Sequence, residues 1–155
     1  MLLDQEVPKS AVEALREVLG KRLVAVVLFG SRARGDARAD SDWDVLVLAE
    51  DLPQNAFDRQ LFFGRLLPSD IPGAITVVAK TPKEFEVYLP SLYLDIAVDG
   101  QILYDPSGYA ADHLATLRRL IKEAGLRRER SEVGDMWEWE KEPTGPWALE
   151  WKSSQ

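Results

Sequence analysis

Short apolar runs alternate with segments of helical periodicity along most of the chain. The runs 23–29, 42–48 and 75–79 are rich in β-branched and aliphatic residues and are too short for free-standing helices. They predict three strands, and we expect the first two to be buried on both faces. Further elements are predicted from periodicity and turn signals: helices over 10–19, 53–67, 82–89 and 109–124, a helical turn over 91–97 and a short strand over 102–104.

Polar residues at the ends of these segments predict where the helices begin. Ser10 and Glu13 are spaced as a capping box, and Thr81, Pro82 and Glu84 combine a cap with a first-turn proline. The segment 53–67 carries an apolar stripe at helical spacing that we expect to face the core. Its members are Phe57, Leu61, Phe62 and Leu66.

The last 30 residues differ from the rest. No internal repeat is present, so the preceding elements predict one α/β unit, with a domain over 1–125 and a tryptophan-rich extension over 126–155. Two interpretations of the extension are open. It is a strand or arm packed on its own domain, because tryptophan buries a large area, or an arm that binds a partner. Its four tryptophans are Trp137, Trp139, Trp147 and Trp151.

Composition excludes several classes of site. The 155 residues carry a formal charge of −7, which argues against a broad nucleic-acid-binding surface. There is no cysteine and only one histidine, His113, so neither a disulfide framework nor a zinc site built from these residues is available. No apolar run approaches the length of a membrane-spanning helix and no signal sequence is recognised, so we expect a cytoplasmic protein.

The candidate chemistry lies between the first two strands. Gly30 and Ser31 follow the first strand, and Asp42 and Asp44 open the second. Two acids that are two residues apart on a strand leave the same face, roughly 6.5–7 Å apart along the chain. Such a pair is costly unless a cation lies between its members, and Mg²⁺ takes one or two carboxylates with substrate phosphates. The pair therefore predicts a divalent metal site.

The glycine turn predicts a place for phosphate. Gly30 allows close approach to the backbone, and Ser31 at a helix start offers a hydroxyl and N–H groups to an anion. Arg32, Arg34 and Arg38 can add charged contacts, or can pair with nearby aspartates. Neither the P-loop pattern nor the Rossmann glycine pattern is present. Alone, a Gly-Ser pair or an Asp-x-Asp triplet is commonly just a turn or a solvated strand end.

The stretch from Gly30 to Gly35, taken with Ser41-Asp42-Trp43-Asp44, resembles the signature of the DNA polymerase beta-like nucleotidyltransferases. It is most similar to their small "minimal nucleotidyltransferase" members. The resemblance is specific over 23–49 and implies a small mixed β-sheet flanked by helices. It implies that Asp42 and Asp44 bind Mg²⁺ or Mn²⁺ and that Gly30, Ser31 and Arg32 bind a nucleoside triphosphate, with ATP expected.

The implied reaction is attack of a hydroxyl on the α-phosphorus, with pyrophosphate leaving. Small members of the family often work beside a helical partner protein, as an antitoxin that adenylylates its toxin, so a similar partner is implied here. The family places a third acid on the strand beside the first two, but the run 75–79 holds none, and Thr76 is found there.

Asp70, just before that run, is the expected third catalytic carboxylate, ahead of Asp95 and Asp99. If Asp70 does not reach the site, the alternative is a degenerate nucleotidyltransferase fold. Such a protein would bind a nucleotide or a partner without transfer.

Overall fold

A four-stranded mixed sheet forms the centre of the molecule. The computed structural model describes residues 2–131, 134–145 and 147–151. The strands of this sheet are β1 (Leu23–Phe29), β2 (Trp43–Ala49), β3 (Ile75–Lys80) and β4 (Gln101–Tyr104). Their order is β3-β2-β1-β4, with β1 antiparallel to β2 and β4 and with β2 parallel to β3. The predicted mixed sheet with flanking helices is confirmed.

In the described part of the chain, six α-helices flank the sheet. They are α1 (Val7–Leu19), α2 (Ser31–Arg34), α3 (Ala56–Leu66), α4 (Pro82–Val87), α5 (Ser91–Asp99) and α6 (Tyr109–Ala124). Single 3-10 turns at Asp4–Glu6 and Gly20–Arg22 precede and follow α1. After α6 a separate two-stranded antiparallel hairpin is formed by β5 (Leu126–Ser131) and β6 (Gly134–Trp139).

The central strands β1 and β2 are buried on both faces, as their continuous apolar runs predict. Along β1, Val26 and Leu28 face a layer that contains α1 and α3. The alternate residues Val27 and Phe29 face a second layer that contains α4, α5 and α6. Because side chains alternate along a strand, a continuous apolar run is needed to fill both layers.

The predicted apolar stripe on α3 is correct only in part, since Phe62 and Leu66 are partly buried against the core. Phe57 is 70% exposed and Leu61 is 39% exposed, whereas Phe63 is buried. The helix also buries Arg59, whose guanidinium donates to the carbonyls of Pro53 and Ala79 at 2.7 and 3.0 Å. Arg59 therefore links the helix to β3 through hydrogen bonds that hydrophobic periodicity does not report.

The predicted helix starts are right in one case and wrong in the other. Thr81 accepts from the Glu84 backbone N–H, and the Glu84 carboxylate accepts from the Thr81 N–H, so this capping box is confirmed. The helix α1 instead begins at Val7, with proline in its first turn, and Ser10 lies inside it. Buried Val7 explains the earlier start, because it extends the packed face of α1 by a turn.

Two of the C-terminal tryptophans pack against the domain. Trp137 donates from Nε1 to the Asp95 carboxylate at 2.9 Å, and Trp151 donates to the Phe85 carbonyl at 2.9 Å. Trp139 and Trp147 contact each other edge to face and are 36% and 41% exposed. The division at residue 125 stays a prediction, and residues 132–133, 146 and 152–155 of the predicted extension lie outside the described part.

Within the described residues, no helix combines the length and apolar character needed to cross a membrane.

Candidate active site

The turn after β1 is in contact with the first residues of β2. Antiparallel pairing places Phe29 opposite Asp44, so Gly30 comes next to the Asp44 side chain. A Cβ added to Gly30 would collide with the Asp44 carboxylate. Gly30 also has φ 73° and ψ −159°, a combination that is essentially restricted to glycine. The predicted glycine turn and one of the predicted acids therefore form one site.

The two acids form an electrostatically unfavourable pair. Asp42 is exposed at the entry to β2, while Asp44 is partly buried on the strand. Burial is the main reason that the pKa of Asp44 is raised above its usual range, and the negative charge of Asp42 raises it further. The charge of Arg34 opposes this rise. Such a pair gains most from a bound cation, because a cation removes both the burial cost and the repulsion.

Arg32 supports the loop that carries Asp42. Its guanidinium donates to the carbonyls of Ser41 and Ala39, at 2.9 and 3.1 Å, and forms an ion pair with Asp4 at 3.3 Å. It also lies 4.2 Å from the centre of the Trp43 ring. The side chain is only 6% exposed. These contacts occupy the donors that the predicted phosphate contact would need.

Arg34 is the better placed of the two arginines for a ligand. Its side chain is 26% exposed, and its charge acts on Asp44. It is held by Asp36 at 3.2 Å and by Asp99 at 3.3 Å. Ser31, which begins the same short helix α2, is also partly exposed. The turn and helix thus present a hydroxyl and a guanidinium beside the carboxylate pair.

On the neighbouring strand β3, a threonine stands where the resemblance implies a third acid. Parallel pairing of β2 with β3 places Thr76 in register with Asp44, and Thr76 is exposed. Residues in register on neighbouring strands project from the same face, so Thr76 lies beside Asp44. Among the residues that the structure describes, no three His, Cys, Asp or Glu side chains form a group that could hold a metal.

Asp70 lies in the loop between α3 and β3. Its carbonyl accepts from the Leu2 N–H at 3.3 Å, and the next residue, Ile71, is buried in the α1–α3 layer. That layer covers the face of the sheet opposite to the one from which Asp44 projects. The role of Asp70 as third carboxylate remains a prediction.

Asp95 and Asp99, the other acids considered, are engaged by the C-terminal hairpin. Arg128 donates to both oxygens of Asp99, at 2.7 and 2.9 Å, and approaches Asp95 at 3.4 Å. Sequence reasoning missed this arrangement because the partners are about 30 residues apart. The cluster of arginines at the start of the extension was the one sequence feature that indicated partners for these acids.

Gly73 is a second residue that sequence reasoning missed. Its φ is 85°, and an added Cβ would meet the backbone of Ser41. Trp43 also donates from Nε1 to the Pro72 carbonyl at 3.1 Å. The loop before β3 is therefore held against the segment that leads to Asp42. The combination Pro-Gly before a strand marks a turn in the sequence, but not which segment packs on it.

The mixed sheet, the glycine turn and the adjacent carboxylate pair define the nucleotidyltransferase class of fold. Comparison with protein families agrees, since residues 13–86 match the model described as polymerase beta, nucleotidyltransferase. Residues 13–86 are similar to that family, and this similarity together with the fold supports a minimal nucleotidyltransferase domain.

Two similar proteins come from Methanocaldococcus jannaschii. A proposed protein adenylyltransferase, MJ1305, is 27% identical over 115 residues, which cover 72% of this chain and 78% of the relative. A second, MJ0141, is 42% identical over 48 residues, covering 31% of this chain and 48% of the relative. Among solved structures, the toxin–antitoxin complex MntA–HepT includes a chain with 20% identity and a TM-score of 0.49, with coverage of 77% and 91%.

Replacing Gly30 tests the contact that unites the site. We expect Gly30→Ala to cost at least about 3 kcal/mol of folding stability, because it combines a forbidden backbone conformation with a collision. Gly20→Ala is the control, since Gly20 also has a restricted conformation, with φ 55° and ψ −128°, but open space around its Cα. It should cost about 1–2 kcal/mol. Urea unfolding measures both, and equal losses would contradict the close approach.

Removing the charge of Asp44 should stabilise the metal-free protein. Because the pKa of Asp44 is raised on folding, wild-type stability falls as pH rises from its ordinary value of 3.8 through the folded value. Asp44→Asn should therefore raise Tm at pH 7 by about 2 °C or more, with a difference that vanishes in acid. Asp42→Asn, at an exposed position, should gain less. Thermal scans against pH check this, and a lower Tm for Asp44→Asn at pH 7 would contradict it.

Proposed function

We propose that the protein is a metal-dependent nucleotidyltransferase that moves a nucleoside monophosphate from a triphosphate to a hydroxyl. The observation that carries the proposal is the contact between Gly30 and the Asp44 carboxylate. It places a turn suited to phosphate beside carboxylates suited to a cation. Both are needed for triphosphate chemistry, and their adjacency is far more specific than either alone.

The residues fit Mg²⁺ or Mn²⁺. Asp42 and Asp44 supply carboxylate oxygens at one strand end, and the pKa of Asp44 is raised first by burial and then by the charge of Asp42, two costs that a bound cation would offset. These two residues would hold the metal, which when bound neutralises charge on the phosphates and the leaving pyrophosphate. Hard oxygen donors with room for phosphate oxygens are the ligand set that these ions favour.

The remaining roles fall to the turn and to the substrate hydroxyl. Gly30 and Ser31 bind the β- and γ-phosphates through backbone N–H groups and the serine hydroxyl, as the resemblance implies. The acceptor oxygen forms a bond to the α-phosphorus while the bond to pyrophosphate breaks, and a base accepts the hydroxyl proton. Asp70 is the proposed base. We assign Arg32 to positioning of the Asp42 loop, because its donors are already bound to protein.

ATP as the triphosphate and a protein as the acceptor are the finer parts of the proposal. The similarity to a relative named as a protein adenylyltransferase supports both, since adenylylation uses ATP. The acceptor would be a hydroxyl on a helical partner protein, as in the toxin–antitoxin pairs of this family.

Thr76 favours a second candidate function. It lies in register with Asp44, where the family has its third acid, and its hydroxyl cannot act as a carboxylate base near neutral pH. A protein that lacks the base would bind nucleotide or a partner without efficient transfer.

Transfer of label from α-labelled ATP tests the two functions. Wild type, Asp70→Asn and Thr76→Asp are incubated with Mg²⁺ or Mn²⁺ and a cell extract, with the Asp42→Asn/Asp44→Asn double variant as blank. If Asp70 is the base, Asp70→Asn should lose about 10²-fold or more of the transfer rate while keeping nucleotide binding. Transfer that survives Asp70→Asn would eliminate this role.

The binding-module alternative makes the opposite prediction. Wild type should bind nucleotide yet transfer little, and Thr76→Asp should increase transfer by placing a carboxylate beside Asp44. Failure of the wild-type protein to bind triphosphate in the presence of either metal would contradict the proposed nucleotidyltransferase activity.

A further inference from the structure

The C-terminal hairpin is joined to the domain by a partly buried ion-pair network. Arg128 of β5 forms a two-pronged pair with Asp99, the last residue of α5, at 2.7 and 2.9 Å. The side chains are only 13% and 7% exposed. Burial alone would raise the pKa of Asp99, but the hydrogen bonds and charges of Arg128 and Arg34 hold it below its usual range. Asp99 is therefore a charged and oriented group.

The same carboxylate reaches toward the active site. The Asp99 oxygen that accepts from Arg128, Oδ2, also accepts from Arg34 at 3.3 Å. Arg34 ends α2, the helix that begins with Ser31, and its charge acts on Asp44. A continuous path of charged contacts thus runs from the hairpin through Asp99 to the guanidinium beside the carboxylate pair.

The hairpin also contacts the segment that follows α2. Arg130 of β5 pairs with Asp36 at 3.4 Å, and Asp36 pairs with Arg34 at 3.2 Å. Arg34 is thus fixed from two sides by acids that each contact an arginine of the hairpin. A flexible arginine has about 2 kcal/mol of side-chain conformational entropy, so fixing it in advance lowers the cost of ligand binding.

We propose that the C-terminal hairpin is part of the nucleotide site. In this assignment Arg34 contacts the triphosphate, and Asp99 and Arg128 are positioning residues that hold Arg34 toward it. The inference rests on the proposed function and adds a second role to the extension. Its arginines orient a side chain of the site, in addition to covering the domain surface.

A purely structural role would also make these residues matter for folding. Removing Arg128 leaves a buried carboxylate with fewer partners, so stability should fall in either case. A positioning role differs from a purely structural one in that the effects of these residues on triphosphate affinity depend on Arg34. If Asp99 and Arg128 act through Arg34, their replacement should have no effect on triphosphate affinity once Arg34 is removed.

The experiment measures the Kd of Mn²⁺ with the non-hydrolysable analogue AMP-PNP by calorimetry, at a temperature where circular dichroism shows each variant folded. We expect Arg128→Met and Asp99→Asn each to raise Kd about tenfold, and Arg34→Met at least as much. Arg128→Lys should recover part of the loss. The matched control is Arg127→Met, because Arg127 pairs with Glu129 and Glu138 inside the hairpin. Its Kd should match wild type.

The decisive comparison uses double variants. Adding Arg128→Met or Asp99→Asn to Arg34→Met should leave Kd unchanged from that of Arg34→Met alone. Additive losses, an unchanged Kd in the single variants despite a lower Tm, or tighter binding by Asp99→Asn would overturn the assignment. If wild type itself fails to bind, the proposed function and this inference both fail, whereas wild-type binding with unaffected variants refutes only the inference.

Discussion

The approach of the Asp44 carboxylate to the α-carbon of Gly30 is the constraint on which the site depends. It follows from the register of β1 and β2, which pairs Phe29 with Asp44. A one-residue slip would turn Asp44 toward the opposite layer and would break the alternation that fills both layers of the core. The same packing that stabilises the fold therefore also places the carboxylate against the glycine turn.

In the pair of Asp42 and Asp44, the negative charge that suits cation binding lowers the stability of the cation-free protein. The pKa of Asp44 is raised chiefly by burial and then by Asp42, so the ionised pair destabilises the protein without a cation. Arg34 relieves only part of this, because it is shared with Asp36 and Asp99. Sites that bind metal and phosphate commonly retain such unfavourable charge, since the ligand supplies the compensation.

The strands and the glycine turn could be predicted from sequence because their signals are local. Continuous apolar runs identified β1 and β2, and the spacing of Asp42 and Asp44 is a property of any strand. The failures involve contacts between distant segments. Buried Arg59 links α3 to β3, and the hydrogen bonds of Arg32 to Ser41 and Ala39 give it partners within the protein.

The ion-pair network at Asp99 is another contact between distant segments that local sequence signals do not predict. Its contact with Arg128 joins residues 29 positions apart, and no periodicity predicts that pairing. The sequence showed clustered arginines followed by tryptophans and left open whether the extension binds the domain or a partner. The structure places Trp137 and Arg128 together on Asp95, so at least this part of the extension packs on its own domain.

The most direct test of the central claim is paramagnetic broadening of backbone amide signals by Mn²⁺ in the presence of AMP-PNP. The account predicts that the signals of Gly30, Ser31, Asp42 and Asp44 broaden first and together, with Thr76 next because it is in register with Asp44. Signals from the far end of the same two strands, such as those of Leu23 and Ala49, should remain sharp. Broadening centred on another group of residues, or none at Gly30 and Asp44, would contradict a shared site for metal and phosphate at this turn.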